Sequence, residues 1–235
     1  MVDGTAEGKR WIAFRHHHGR FFPYNGATLF QGPTFRSEAK PMRISGGDAR
    51  GITLSVPSGA AVRPATDGLR QAVFSSLALR IPGAQFVDLF AGSGAYGLEA
   101  LSRGAQTGVF VERHARTASC LTRNLEAVAK SLKRPARTLA RVAIADALTW
   151  SPFAGDPAPD LIFIDPPYDQ ILNLAPALFV RVAAWTQGAE DPLIIFETPG
   201  EVILTAPGWE SVKRIGGKTA HQPGVSVFRR TPAGS

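Results

Sequence analysis

From residue 64 onward, apolar and polar positions switch repeatedly between a period near two and a period near 3.6, which predicts alternating strands and helices. Residues 86–90 (Phe-Val-Asp-Leu-Phe) are a short apolar run that ends in Ala91-Gly92-Ser93-Gly94, the pattern of a buried strand entering a glycine turn. Helical spacing follows over 94–103 and stops at Gly104. A second strand is expected over 107–111, ending at Glu112, and then a helix over 114–132 with Ala118, Leu121, Leu125 and Val128 facing inward. Residues 139–144, 160–164 and 193–197 read as further strands, and 171–185 as a helix. Residues 209–215 and 225–230 read as a closing antiparallel pair joined by the basic, glycine-rich loop 216–224. Upstream, Leu69, Val73, Phe74 and Leu77 mark a helix within 64–80 that Thr66 or Asp67 can cap. Residues 43–45 and 52–56 flank a glycine-rich turn and suggest a small β-hairpin. No period persists over residues 1–40. The pattern is α/β: a doubly wound, mostly parallel sheet with a small N-terminal hairpin and helix. The expected divisions are a flexible basic extension over 1–41, the hairpin and helix over 42–80, and the sheet domain over 81–235.

Composition narrows the partners. A chain of 235 residues with 44% hydrophobic residues is long enough for one sizeable core. The net charge of +7 suits a protein that meets a polyanion, because lysines and arginines displace counterions from phosphates. The single cysteine, Cys120, rules out an intrachain disulfide and a cysteine-based metal cluster. No apolar run approaches the ~20 residues that span a bilayer, and the N-terminus lacks the apolar core of a signal peptide, so a cytoplasmic location is expected. His16, His17 and His18 are adjacent and cannot all face one metal from regular structure; no metal is expected. Met42, just before the first regular segment, reads as an alternative translation start, with residues 1–41 an extension.

The strand ends carry the candidate chemistry. Gly92, Gly94 and Gly97 have the G-x-G-x-x-G spacing of a nucleotide cradle, although three glycines can also serve only a tight strand-to-helix turn. Glu112 lies 18 residues beyond Gly94, where a carboxylate can accept both hydroxyls of a ribose; the plain alternative is a solvent-facing strand end. Asp146, after the third strand, can accept from an adenine amine or merely cap the next turn. Asp165-Pro166-Pro167-Tyr168 is the most specific motif. Its prolines remove backbone donors, so carbonyls and a carboxylate stand beside an aromatic plate. That combination fits a planar base with an exocyclic amine and has no role in hydride transfer. Arg43, Arg50 and Arg63 are forks suited to phosphate or ordinary surface charge, and Arg70 is expected on the polar side of its helix.

These motifs resemble class I methyltransferases that use S-adenosyl-L-methionine and modify exocyclic amines. More narrowly, the chain resembles the RsmD family of 16S rRNA guanine-N2 methyltransferases over residues 42–230. The resemblance rests on Met42-Arg43-Ile44-Ser45-Gly46-Gly47 with Arg50-Gly51, on 63–70 (Arg-Pro-Ala-Thr-Asp-Gly-Leu-Arg), on 88–94 with 97–105, on Phe110-Val111-Glu112, and on Asp165-Pro166-Pro167-Tyr168. It implies a Rossmann-like, seven-stranded sheet. It implies that Asp88, Phe90, Ala91, Gly92, Ser93, Gly94, Glu112, Arg113, Asp146 and Ala147 hold the cofactor. Asp88, Gly92 and Gly94 would take its methionine part, Glu112 the ribose and Asp146 the adenine amine. Asp165, Pro166, Pro167 and Tyr168 would form the catalytic motif, and Arg43, Arg50, Arg63 and Arg70 would hold RNA phosphates. The implied partner is 16S rRNA, the small ribosomal subunit or its assembly intermediate, met by a monomer without a membrane or a metal. Two other readings stand beside this one: an N6-adenine or N4-cytosine DNA or RNA methyltransferase, and a non-catalytic RNA-binding protein of the same fold.

Overall fold

The computed structural model describes residues 41–56, 66–220 and 222–231. The expectations for residues 1–40 and for Arg63 lie outside the described residues. In chain order the elements are α1 (Thr66–Ser76), β1 (Gln85–Leu89), α2 (Ala95–Ser102), β2 (Thr107–Glu112), α3 (Ala115–Ser131), α4 (Ala136–Leu139), β3 (Ala140–Ile144), β4 (Leu161–Ile164), α5 (Ile171–Trp185), β5 (Leu193–Pro199), β6 (Trp209–Gly216) and β7 (Pro223–Arg230). The seven strands form one sheet in the order β3-β2-β1-β4-β5-β7-β6. The first five pair in parallel, and β7 runs antiparallel to both β5 and β6. The strand order reverses between β1 and β4, and a crevice opens at such a switch point above the carboxyl ends of the strands.

Strand alternation sorts the core onto the two faces. Phe86, Phe110, Phe163 and Ile195 join Phe74 of α1, Leu98 of α2 and Leu121, Leu125 and Val128 of α3. Their strand neighbours Val87, Val111, Ile162, Ile164, Ile194 and Phe196 point the other way, onto Ile171, Leu178, Phe179 and Val182 of α5. Both faces are covered, which is why the central strands read as unbroken apolar runs. Gly97 lets α2 approach the sheet: a Cβ there would stand 2.3 Å from a ring carbon of Phe110 and 2.5 Å from one of Phe86.

Three details differ from expectation. Pro135 starts a single helical turn, α4, so Leu139 closes that turn and β3 begins at Ala140. The terminal ladder is longer than expected, with Pro199 of β5 opposite Pro223 of β7. The N-terminal hairpin is short: its one antiparallel bridge, Arg43 to Thr53, is flanked by Ile44 N–H to Ile52 O and Leu54 N–H to Met42 O, and further donors of the segment bond to helices. Ser45 N–H and Ala49 N–H donate to Glu99 and Ser102 of α2, and Ser55 N–H donates to Asn124 of α3. Residues 41–56 thus lie across α2 and α3, beside the end of β1.

Candidate active site

The glycine turn is held by the acid of the next strand. Phe90, at the end of β1, takes φ 60°, a region that non-glycine residues seldom occupy and that clusters at functional sites. Ala91 N–H returns to Val111 O of β2 at 3.0 Å, and Gly94 N–H closes the turn on Ala91 O at 2.7 Å. Glu112, buried at the end of β2, accepts Gly92 N–H on one carboxylate oxygen (3.0 Å) and His114 N–H on the other (2.8 Å). One carboxylate therefore fixes the turn after β1 and the entry to α3. The glycines differ in role. A Cβ at Gly92 would meet nothing nearer than Phe90 O at 3.9 Å, so its backbone is bare for close approach. A Cβ at Gly94 would strike Leu121 at 2.2 Å, so that glycine serves packing.

Asp88 is 2% exposed and accepts Gly97 N–H at 2.9 Å. Burial raises its pKa from 3.8 to about 8, the Gly97 hydrogen bond opposes that rise, and the charge of Glu112 adds to it. Two adjoining cavities lie at this edge of the sheet. The larger, about 450 Å³, is bordered by Phe90, Glu112, Arg113, Asp146, Ala147 and Asp165, with Pro166 and Pro167. The smaller, about 120 Å³, is bordered by Met42, Arg70, Asp88, Gly92, Asp165 and Glu197, with Ala91 and Ser93. Phe90 and Asp165 face both. The walls are rich in carboxylates, which repel a pyrophosphate and attract hydroxyls, amines and cations. A ligand with a ribose, an amine and a cationic centre fits this donor-accepting lining.

Asp165, Pro166 and Pro167 follow β4 directly, and Tyr168 opens a single 3₁₀ turn, Tyr168–Gln170. Asp165 and Tyr168 are half-buried, Pro166 is buried and Pro167 is exposed. Tyr168 donates its hydroxyl to Glu197 at the end of β5, and Tyr96 of α2 donates to the other oxygen of the same carboxylate. Burial foremost, then the charges of Glu197 and Asp165, push the Tyr96 phenol well above its ordinary range, while Arg70 opposes the rise. Asp146 is exposed and its Oδ1 accepts Leu148 N–H at 2.7 Å, so it caps a turn and borders the large cavity at once.

The arginines divide. Arg43 and Arg50 are exposed on the N-terminal segment. Arg70 is only 2% exposed, and the expectation that it lies on an open polar face is corrected. Its guanidinium donates to Asp67 (2.7 Å) and to Arg43 O (2.6 Å) and stands 3.6 Å from Glu99, so it ties α1 to the N-terminal segment and to α2. Sequence reasoning also missed Glu197, Tyr96 and Met42. The signal for Glu197 was present, because it is the acid at the end of the expected strand 193–197 as Glu112 is at the end of β2, although β5 itself runs on to Pro199. Among the described residues, no group of three His, Cys, Asp or Glu side chains could hold a metal, and no helix is long and apolar enough to cross a membrane.

The family model described as Conserved hypothetical protein 95 matches residues 42–222. The chain is 34% identical to Ribosomal RNA small subunit methyltransferase D of Escherichia coli strain K12, over 82% of this chain and 92% of that one. It is 31% identical to the protein of the same name from Haemophilus influenzae, over 73% of this chain and 86% of that one. The solved structure of yhhF from Escherichia coli superposes with a TM-score of 0.65 at 30% identity, covering 82% of this chain and 99% of that one.

Proposed function

We propose, from the premise that this chain belongs to the Conserved hypothetical protein 95 family, which is the RsmD family of methyltransferases, that it methylates the exocyclic N2 amine of a guanine in 16S rRNA of the small ribosomal subunit. The observation that carries the reading is the position of Asp165 on the wall common to two carboxylate-rich cavities, with Pro166 and Tyr168 beside it. S-adenosylmethionine would supply an electrophilic methyl group on a sulfonium, a good leaving group.

The adenosine half fits the larger cavity. Glu112, which accepts Gly92 N–H and His114 N–H, would take the ribose hydroxyls on its remaining lone pairs, Asp146 would accept the adenine amine, and Arg113, Ala147 and Phe90 line the space. The methionine half fits the smaller cavity beside Asp88, Ala91, Gly92 and Ser93. Asp165 and the Pro166 carbonyl accept the two N2 hydrogens of guanine and hold the lone pair toward the methyl group. As the C–N bond formed and the S–C bond broke, releasing the neutral thioether S-adenosylhomocysteine, the nitrogen would gain positive charge, which the Asp165 carboxylate would stabilise before taking the N2 proton and passing it to water. Positioning supplies much of the rate, because leaving group and nucleophile need only be aligned. Tyr168 stacks on a base swung out of its helix. Residues 42–80 form the RNA-contact unit, with Arg43 and Arg50 on phosphates.

The test is Asp165→Ala in an assay of labelled methyl transfer to small-subunit particles. A loss of about 100-fold or more in kcat, with cofactor binding retained by calorimetry, is expected. Activity within about threefold of the unsubstituted protein would overturn the assignment.

A further inference from the structure

We infer that Glu197 is a positioning residue for the base plate, holding Tyr168 in register with the helix that follows the cofactor turn; the inference rests on the function proposed above. Glu197 is 3% exposed at the end of β5 and borders the smaller cavity together with Asp165. Its Oε2 accepts the hydroxyl of Tyr96 at 2.8 Å, and its Oε1 accepts the hydroxyl of Tyr168 at 3.1 Å. Tyr96 is itself fixed: its ring stacks on Phe163 of β4 at 5.5 Å between centroids and lies 6.1 Å from Phe74 of α1. The carboxylate therefore joins the turn after β4 to a tyrosine packed in the core. Tyr168 sits half-buried in a short 3₁₀ turn between two prolines and α5, its ring packed on the core face that α5 covers. A charge-assisted hydrogen bond to a buried carboxylate is strong and directional, and it selects one tilt.

Glu197 need not touch the reacting atoms. Its distinct contribution is that the same carboxylate binds Tyr96 of α2, whose first turn leads from Gly92, Ser93 and Gly94. The wall of the methionine cavity and the plate for the target base are thus bridged by one side chain. Tyr168→Phe removes only the hydroxyl end of the bridge and keeps the ring. Glu197→Ala removes the bridge, and Glu197→Gln keeps one acceptor oxygen and guards against failure of the alanine variant to fold.

The experiment measures methyl transfer to small-subunit particles by the full chain, by Tyr168→Phe, by Glu197→Ala and Glu197→Gln, and by each Glu197 change combined with Tyr168→Phe, with melting temperature and calorimetric binding of S-adenosylmethionine alongside. Each single change is expected to lower kcat by about tenfold or more, while cofactor affinity stays within about threefold. In the Tyr168→Phe background, either Glu197 change is expected to cost less than about threefold further, since the interaction it served is already gone. Losses that multiply, or a Glu197 loss that tracks melting temperature and cofactor affinity, overturn the positioning role while leaving the methyl-transfer reading intact. Absence of transfer by the unsubstituted protein overturns that reading and this role with it.

Discussion

Replacing Glu99 by Gln tests what holds the N-terminal segment to the site. Glu99 of α2 is wholly buried. Its Oε1 accepts the Ser45 hydroxyl at 2.7 Å and Arg103 Nε at 2.8 Å, and its Oε2 accepts Ser45 N–H at 2.8 Å and stands 3.6 Å from Arg70 Nε. Glutamine keeps the volume and one acceptor oxygen but removes the charge. Two guanidiniums then lose their counter-charge. Arg103 is 19% exposed and regains some hydration, whereas Arg70 is 2% exposed and retains only Asp67 as an ionic partner. Breaking a buried pair from one side costs about 3–5 kcal/mol. The saving is that a carboxylate no longer has to be desolvated, which brings the expected loss to the lower end, ~3 kcal/mol. For a folded chain of this size that corresponds to a fall of roughly 6–12 °C in Tm. Urea unfolding at pH 7, with and without 0.5 M salt, provides the measurement. Because the ions are buried, added salt should leave the difference nearly unchanged, unlike a surface pair. A loss under about 1 kcal/mol, or one that salt abolishes, refutes the claim that this carboxylate is the tie between residues 41–56 and α2.

Two further outcomes follow from named contacts. Asp88 holds its proton up to about pH 8 when folded and only to 3.8 as the ordinary value. Below the lower value both states are protonated and stability is full; between the two, the unfolded chain releases a proton that the folded chain keeps, so stability falls as pH rises and levels off above 8. Asp88→Asn should remove that fall, so the gap between variant and parent urea midpoints should change across pH 4.5–8.5 by up to about 1.4 kcal/mol per pH unit; parallel curves would refute the buried-proton account. Gly97→Ala should gain about 1 kcal/mol of helix propensity and lose more to the Phe86 and Phe110 rings, giving a net loss of about 1–2 kcal/mol by urea unfolding; a more stable variant would show that the rings yield.

The sheet could be read in advance because parallel strands buried on both faces become apolar runs, and because the first polar residue after each run marks the carboxyl edge. Glu112, Asp146 and Asp165 were found that way, each at or just beyond a strand end, and all of them border the large cavity. Glu197, the last residue of the expected strand 193–197, obeys the same rule and was passed over; in the structure β5 continues to Pro199 to pair with β7. Arg70 shows the opposite limit. Helical spacing marks Leu69, Val73, Phe74 and Leu77 as the inward face, and Arg70 lies at its margin. Whether such a residue faces water or interior depends on a counter-charge, and that charge is Glu99, 29 positions away on another helix. The hairpin forms between the expected arms, but its lateral partners could not be read for the same reason. Ser45 and Ser55 on its arms and Ala49 in its turn donate to Glu99, Asn124 and Ser102 respectively, all more than 50 positions distant. Local period therefore predicts elements and edges, while polar groups choose partners by what the fold brings near. The carboxyl edge of the sheet belongs to the first kind. The struts behind it, Glu99–Arg70 and Glu197–Tyr168, belong to the second. Because both struts run through side chains of α2 or bonded to α2, a change in that helix is expected to reach the N-terminal segment and Tyr168 together.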